Sequence, residues 1–230
     1  MRLNKYLALC GVDSRRKCDT LILKKKIKVN GKVVGDFSYR VQKDDLVQYK
    51  NSVVSPQDDY KFYLINKPSG YVCSSSPSDG KRVIDLIPSK RRLFTIGRLD
   101  RDTTGAIIVT DNGDVANKFM HPKYKIEKIY IAESKMDIDR KIYGNLINGI
   151  SIGSGQIAKG KMTRLHKENG IIFWEIILTE GKNREIKRLF KSMGSELTKL
   201  HRYSIAGFNV KNIKIGHYRS LNIKQIQKLI

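Results

Sequence analysis

Residues Gly97 to Gly105 read Gly-Arg-Leu-Asp-Arg-Asp-Thr-Thr-Gly and set one carboxylate, Asp100, between Arg98 and Arg101, directly ahead of the apolar run Ala106 to Val109. Flanking cations favour the ionised form of an acid. Asp100 is therefore placed to serve as a nucleophile or a base. A solvated loop entering a strand has the same local pattern, so the remainder of the chain has to decide between them. Two more segments carry reactive side chains in unusual company. Asn66 to Ser74 reads Asn-Lys-Pro-Ser-Gly-Tyr-Val-Cys-Ser, a reversal in which proline fixes φ and glycine permits the turn. Glu180 to Phe190 reads Glu-Gly-Lys-Asn-Arg-Glu-Ile-Lys-Arg-Leu-Phe. A further segment, Gly155 to Lys161, has the glycine and lysine spacing of a phosphate-cradling loop, but Met162 stands where a Ser or Thr should hold magnesium. We read it as a loop leading into a strand.

The elements that must position these groups follow from periodicity. Leu3, Tyr6 and Leu7 share a helical face, Gly11 closes that helix, and Asp13 or Ser14 caps a second one running to about Lys24. Ile27, Val29, Val33 and Val34 then alternate around Asn30-Gly31, a pair suited to a tight hairpin turn. Leu46 and Val47 supply another short strand, and the polar stretch from Asn51 to Asp59 reads as a linker. Beyond it, strand-like runs occur at Phe62 to Ile65, Ala106 to Thr110, Ile129 to Ala132 and Ile171 to Leu178. Ile186, Leu189, Phe190 and Met193 form the apolar stripe of a helix from about Arg184 to Met193, whose other face carries Arg184, Lys187, Arg188 and Lys191. The expectation is an α+β protein: a helix-helix-hairpin domain and linker over residues 1–58, then residues 59–230 as a mixed, mainly antiparallel sheet with flanking helices and a cleft.

Composition bounds the partners. Lys and Arg outnumber Asp and Glu by 45 to 22, a net charge of +23, and such a field attracts polyanions, nucleic acid before anionic membrane. From Gly181 onward there are twelve Lys or Arg against two Glu, so the excess is concentrated toward the end of the chain. No run approaches the roughly 18 apolar residues of a spanning helix, and the opening Met-Arg-Leu-Asn-Lys lacks a signal peptide's apolar segment. A cytoplasmic protein with no membrane partner is expected. Cys10, Cys18 and Cys73 form no CxxC pair, and His121, His166, His201 and His217 lack ligand spacing. Free thiols, no metal and no cofactor are expected. Without an obvious apolar patch or heptad seam, a monomer is the default.

Resemblance sharpens these readings. Arg2, Leu3, Lys5 and Tyr6, then Ser14-Arg15-Arg16-Lys17, Leu21-Ile22 and Ile27 to Val33 resemble the S4 RNA-binding domain. That implies phosphate contacts from Arg15, Arg16 and Lys17, which position a protein without reading sequence. Lys25 departs from the glycine common in that family at the end of the second helix, and a side chain there takes positive φ less easily. The Lys-Pro turn, the Asp100 segment, Glu127-Lys128-Ile129-Tyr130, the Glu180–Phe190 run and Leu200-His201-Arg202 occur in the order and spacing of the RsuA-type pseudouridine synthases. Tyr71 to Ser74 and Asp102 to Gly105, with the overall length, resemble the enzymes of that family that act on small-subunit (16S) rRNA.

The resemblance implies an isomerase that modifies RNA during ribosome biogenesis. It breaks the bond between ribose and N1 of uracil and joins the ribose to C5, with no redox cofactor or metal. Asp100 would be the essential nucleophile or base. Tyr130 would stack on the uracil, and Lys187 would pair with Asp100 through a point contact, since lysine lacks the bidentate fork of arginine. The target uridine must first leave its stack, with Arg98 filling the space. Lys67, Lys182, Arg184, Arg188 and Arg202 would contact the RNA. The expected partner is 16S rRNA, free or in a partly assembled small subunit. The rival readings are a synthase acting on 23S rRNA or tRNA, and a noncatalytic RNA-binding assembly factor.

Overall fold

Ser14 accepts a hydrogen bond from the Lys17 amide at 3.2 Å, satisfying one of the N–H groups that an opening helical turn leaves unpaired. This starts α2, Arg15–Leu23, which packs on α1, Leu3–Leu9. The structure, a computed structural model, describes residues 1–228. It comprises two units. One is built from Met1–Lys61 with the short segments Ser89–Arg92 and Asp111–Gly113; the other is built from Phe62–Pro88, Leu93–Thr110 and the chain from Asp114 on.

In the first unit Leu3, Leu7, Cys18 and Ile22 from the helices meet Ile27, Val29, Val41 and Val47 in one buried cluster. Its sheet runs in the order β2-β1-β3-β4, with β1 Ile27–Val29, β2 Lys32–Val34, β3 Val47–Tyr49 and β4 Ser52–Val53. Asn30 and Gly31 both take positive φ, 51° and 79°, as the tight turn between β1 and β2 requires. Lys25 adopts φ 56° despite its side chain. The amides of Lys25 and Lys26 bond back to the carbonyls of Ile22 and Leu21 at 2.8 and 3.0 Å. That double closure of the helix end holds lysine where glycine is usual.

The second unit is built on a sheet in the order β11-β12-β8-β13-β7-β5-β15, with β14 added to β13 and β6 to β7. Its strands are β5 Phe62–Lys67, β6 Phe94–Ile96, β7 Thr104–Thr110, β8 Lys128–Ser134, β11 Gly160–Glu168, β12 Ile171–Leu178, β13 Leu197–Ile205, β14 Phe208–Asn209 and β15 Tyr218–Ser220. A separate pair joins β9 Ile150–Ser151 to β10 Ile157–Ala158. Helices α3 Gly113–Met120, α4 Arg140–Gly144, α5 Glu185–Ser192 and α6 Ile223–Gln227 complete it. The pairing is antiparallel except between β13 and β7, where His201 lies opposite Thr104 and Arg202 opposite Gly105. β7 is buried from Gly105 to Thr110, which accounts for its unbroken apolar sequence. On β12, Ile172, Trp174, Ile176 and Leu178 alternate inward. Trp174 meets Phe190 of α5 edge-on at 6.2 Å and donates its indole N–H to Ser134 Oγ at 2.9 Å. The four strands expected from apolar runs are present; β6 and β13 were not read from the sequence.

Gly105 makes the parallel pairing possible. Its φ is +104°, and a Cβ there would stand 2.2 Å from the Arg202 carbonyl oxygen, far inside any tolerable contact and against backbone that cannot step aside. Gly105→Ala is expected to cost about 3 kcal/mol or more and to lower the thermal unfolding midpoint by several degrees. An unchanged midpoint would refute this account of the β7–β13 junction.

Candidate active site

Lys67 ends β5 fully buried. Its ammonium donates to the carbonyls of Thr103 at 2.7 Å, Pro68 at 3.0 Å and Arg101 at 3.2 Å, using all three of its protons. Burial pushes its pKa down, while Cys73 and the carboxylates of Asp102 and Asp100 pull it back up. The Gly70 amide bonds the same Arg101 carbonyl at 2.8 Å. The Lys-Pro-Ser-Gly turn therefore grips the loop that carries Asp100, and the Thr103 amide closes that loop onto the Asp100 carbonyl at 3.2 Å.

Asp100 lines a pocket of about 940 Å³ together with Arg98, Tyr130, Lys187 and Arg202. Its side chain is partly exposed, and Oδ2 stands 3.4 Å from Lys187 Nζ, which reaches it from α5. The same ammonium holds both carboxylate oxygens of Asp102 more tightly, at 2.6 and 2.7 Å. Hydrogen bonding to Lys187, aided by the charge of Arg184, keeps the Asp102 carboxyl below its usual range. Two carboxylates thus share one cation, with the more exposed of them nearer. Arg184 enters α5 with left-handed φ, 49°, a strained conformation of the kind that collects at functional sites. It is exposed on the pocket rim, as is Arg98.

Tyr130 projects from β8 and is 8% exposed. Arg202, opposite it on β13, places its guanidinium carbon 6.0 Å from the Tyr130 ring centroid and donates from Nε to the Ala106 carbonyl at 2.6 Å. Lys128, two residues before Tyr130, donates to the carbonyls of Ile126 and Thr179. Burial, with Arg202 adding repulsion, brings its pKa down to about 8 against the pull of Glu185 and Glu180.

Several expected RNA contacts are corrected by this geometry. Lys67 is a buried staple between loops and has no surface to offer RNA. Arg188 is committed to the carbonyls of Ile152, Gly153 and Asn183 and to Gln156 Oε1, so it ties down the segment between β9 and β10. Arg202 is 3% exposed and held by the Ala106 carbonyl, so it is a buried pocket residue and not a surface phosphate contact. Lys182 lines the pocket, but its ammonium is held by Glu180 and the Ile157 carbonyl. In the first unit Arg15, Arg16 and Lys17 are exposed at the start of α2. The sequence reading assigned no role to Asp102, Lys128 or Glu185, although all three lie inside its motifs. Among the described residues no cluster of three His, Cys, Asp or Glu could hold a metal, and no helix is long and apolar enough to cross a membrane.

Residues 61–192 match the family model described as RNA pseudouridylate synthase, and residues 1–47 match the S4 domain. Similar proteins include the ribosomal large subunit pseudouridine synthase B of Bacillus subtilis, 34% identical over 99% of this chain and 95% of that protein. An uncharacterised RNA pseudouridine synthase of Borreliella burgdorferi is 36% identical over 99% of this chain and 92% of its own. The dual-specificity RNA pseudouridine synthase RluF of Escherichia coli is 32% identical over 96% of this chain and 75% of its own. A crystal structure of a pseudouridylate synthase superposes with TM-score 0.72 at 25% identity over the whole of both chains.

Two predictions follow from the lysines. Lys67→Met strands three carbonyls and should lower stability by about 3 kcal/mol while RNA affinity changes less than about threefold, as for a residue off the phosphate track; a selective loss of RNA affinity would restore it as a contact. Lys128 has a folded pKa below that of an unfolded lysine, near 10.4, so the unfolded chain binds more protons between about pH 8 and 10. The stability of wild type relative to Lys128→Met should therefore rise with pH across that window, as followed by denaturant titration; a flat or falling difference would refute the buried-amine assignment.

Proposed function

Because the chain belongs to the RNA pseudouridylate synthase family, we propose that it isomerises a uridine of ribosomal RNA, with Asp100 as the essential carboxylate. The observation that supports this most directly is the position of Asp100 in a pocket with Tyr130 and the Lys187 cation 3.4 Å away. The reaction breaks the bond between ribose C1′ and uracil N1 and forms one between C1′ and C5; the C5 proton leaves and N1 gains one. Atoms and electrons balance within the substrate. Attack at the sugar, addition to the ring and removal of a sugar proton all draw on the same carboxylate. Lys187 keeps positive charge beside it while spending its short hydrogen bonds on Asp102, which leaves Asp100 free to approach the nucleotide. Tyr130 offers its face to the extruded base. Arg98 at the rim occupies the gap left in the RNA, offsetting part of the few kcal/mol lost when a base leaves its stack. Arg184 at the rim, and Arg15, Arg16 and Lys17 in the S4 domain, supply phosphate contacts.

A relative named for the ribosomal large subunit, matched over 95% of its own length, supports 23S rRNA as the substrate. A second reading, 16S rRNA, is favoured by the sequences Tyr71 to Ser74 and Asp102 to Gly105. Mapping pseudouridine in both rRNAs from a strain lacking the gene tests both: a site missing from 23S supports the first reading, one missing from 16S the second. Intact sites in both would overturn the assignment to rRNA. Asp100→Asn should fail to restore the missing site while binding RNA within about threefold of wild type, because neutralising one acid removes no phosphate contact. Replacing Arg15 and Arg16 by Ala should flatten the salt dependence of RNA binding by about one unit of slope each with turnover at saturating RNA preserved.

A further inference from the structure

Lys187 divides its contacts between two carboxylates unequally, and the one outside the reaction receives the larger share. Its Nζ lies 3.4 Å from Asp100 Oδ2, too far for the short contact of a charge-assisted hydrogen bond. It donates to both oxygens of Asp102 at 2.7 and 2.6 Å. Asp102 is the more exposed of the two acids, with 68% of its side chain accessible against 38% for Asp100, yet its backbone is firmly held. Lys67 takes the carbonyls of Arg101 and Thr103, the residues on either side of it, at 3.2 and 2.7 Å. The Gly70 amide takes the Arg101 carbonyl as well, at 2.8 Å. On the facing side α5 is seated by Ile186, Leu189 and Phe190, all buried. Two anchored elements thus meet through one ammonium, and its hydrogen bonds go to Asp102.

That division matters for the chemistry. Whether Asp100 attacks or removes a proton, it needs an oxygen lone pair that is free to react. An ammonium closing to about 2.8 Å would engage that pair, and an interaction that favours the ground state over the transition state lowers turnover. The flexible four-carbon stem of a lysine can cross so short a gap without any movement of the backbone. We propose that Asp102 is a positioning residue whose carboxylate holds the Lys187 ammonium back from Asp100, near enough to act through its charge and too far to occupy the reacting oxygen. This rests on the reading of Asp100 as the essential carboxylate and adds the residue that keeps it available. The arrangement also covers the moment when Asp100 loses its negative charge, by forming a bond or by taking up a proton. Asp102 then leaves the ammonium with a partner, so that no unpaired cation is created beside the substrate.

The test compares the whole wild-type chain with Asp102→Asn, which keeps the size of the side chain and removes its charge, and with Asp102→Glu, which keeps the charge. Turnover is read as release of tritium from rRNA labelled at uracil C5 and taken from a strain lacking the gene. A crystal structure of each protein locates Lys187. Asp102→Asn should lower kcat about tenfold and leave KM for the rRNA within about threefold of wild type. Its Lys187 Nζ should stand about 2.8 Å from an Asp100 oxygen. Asp102→Glu should recover kcat to within about threefold of wild type. Should Asp102→Asn fail to fold, Asp102→Ser replaces it with the same expectations. The proposal is overturned by a variant that turns over at the wild-type rate, or by an ammonium that stays 3.4 Å or farther from Asp100. It is equally overturned if kcat and KM worsen together and Asp102→Glu recovers neither, which is what a merely structural role would give. Wild type that releases no tritium removes the isomerase reading and the proposal with it, whereas an active wild type beside an unaltered variant removes the proposal alone.

Discussion

A buried ammonium with three carbonyls around it sets the geometry of the loop that carries Asp100. Lys67 brings a positive charge out of water, which is costly unless every proton is used, and it uses them on two loops at once. The aspartate loop would otherwise be a run of polar residues with backbone oxygens facing inward. Lys67 converts those oxygens from unpaired acceptors into anchors just after Asp100, at Arg101 and Thr103, while before it the Leu99 amide meets Cys73 Sγ at 3.4 Å.

Around that frame, charge is divided by burial. The partly exposed Lys187 is shared between two carboxylates, an arrangement in high dielectric that is weak and easily rearranged. The buried cations Lys67 and Arg202, and the half-buried Lys128, are each pinned to backbone carbonyls. The large positive excess of the chain thus does two separate jobs. Residues such as Arg16, Arg98 and Arg184 stand exposed, while Lys67 and Arg202 are buried and hold backbone together.

Much of this could be read from the amino-acid sequence, and the parts that could not share a cause. Helix caps, the Asn30-Gly31 turn and the apolar runs of β5, β7, β8 and β12 are local signals, and they appear where periodicity puts them. Asp100 stands out because an acid between two arginines in a basic chain is conspicuous. A lysine or arginine carries no local sign of burial, so Lys67 and Arg202 read as surface cations although tertiary contacts draw them inside, and Arg188 reads as one although four groups of the chain hold it. Glu185 sits in a run whose neighbours are basic, and its burial and its bond to the Lys182 amide are revealed only in three dimensions. β13 mixes Thr, Lys, His, Arg and Ser with its apolar residues, and its strand character comes from its two neighbours in the sheet.

That central strand has a consequence for biogenesis. The parallel pairing sets His201 opposite Thr104, so about two fifths of the 230 residues must be synthesised after the Asp100 loop before its supporting strand begins. Contacts this distant in sequence form late and slowly, whereas the helices and hairpin of the first unit close over short separations. A nascent chain emerging from one ribosome can therefore present a folded, basic RNA-binding module well before it can alter a nucleotide. The Asp100 loop lacks its supporting strand until synthesis has reached β13, Leu197–Ile205.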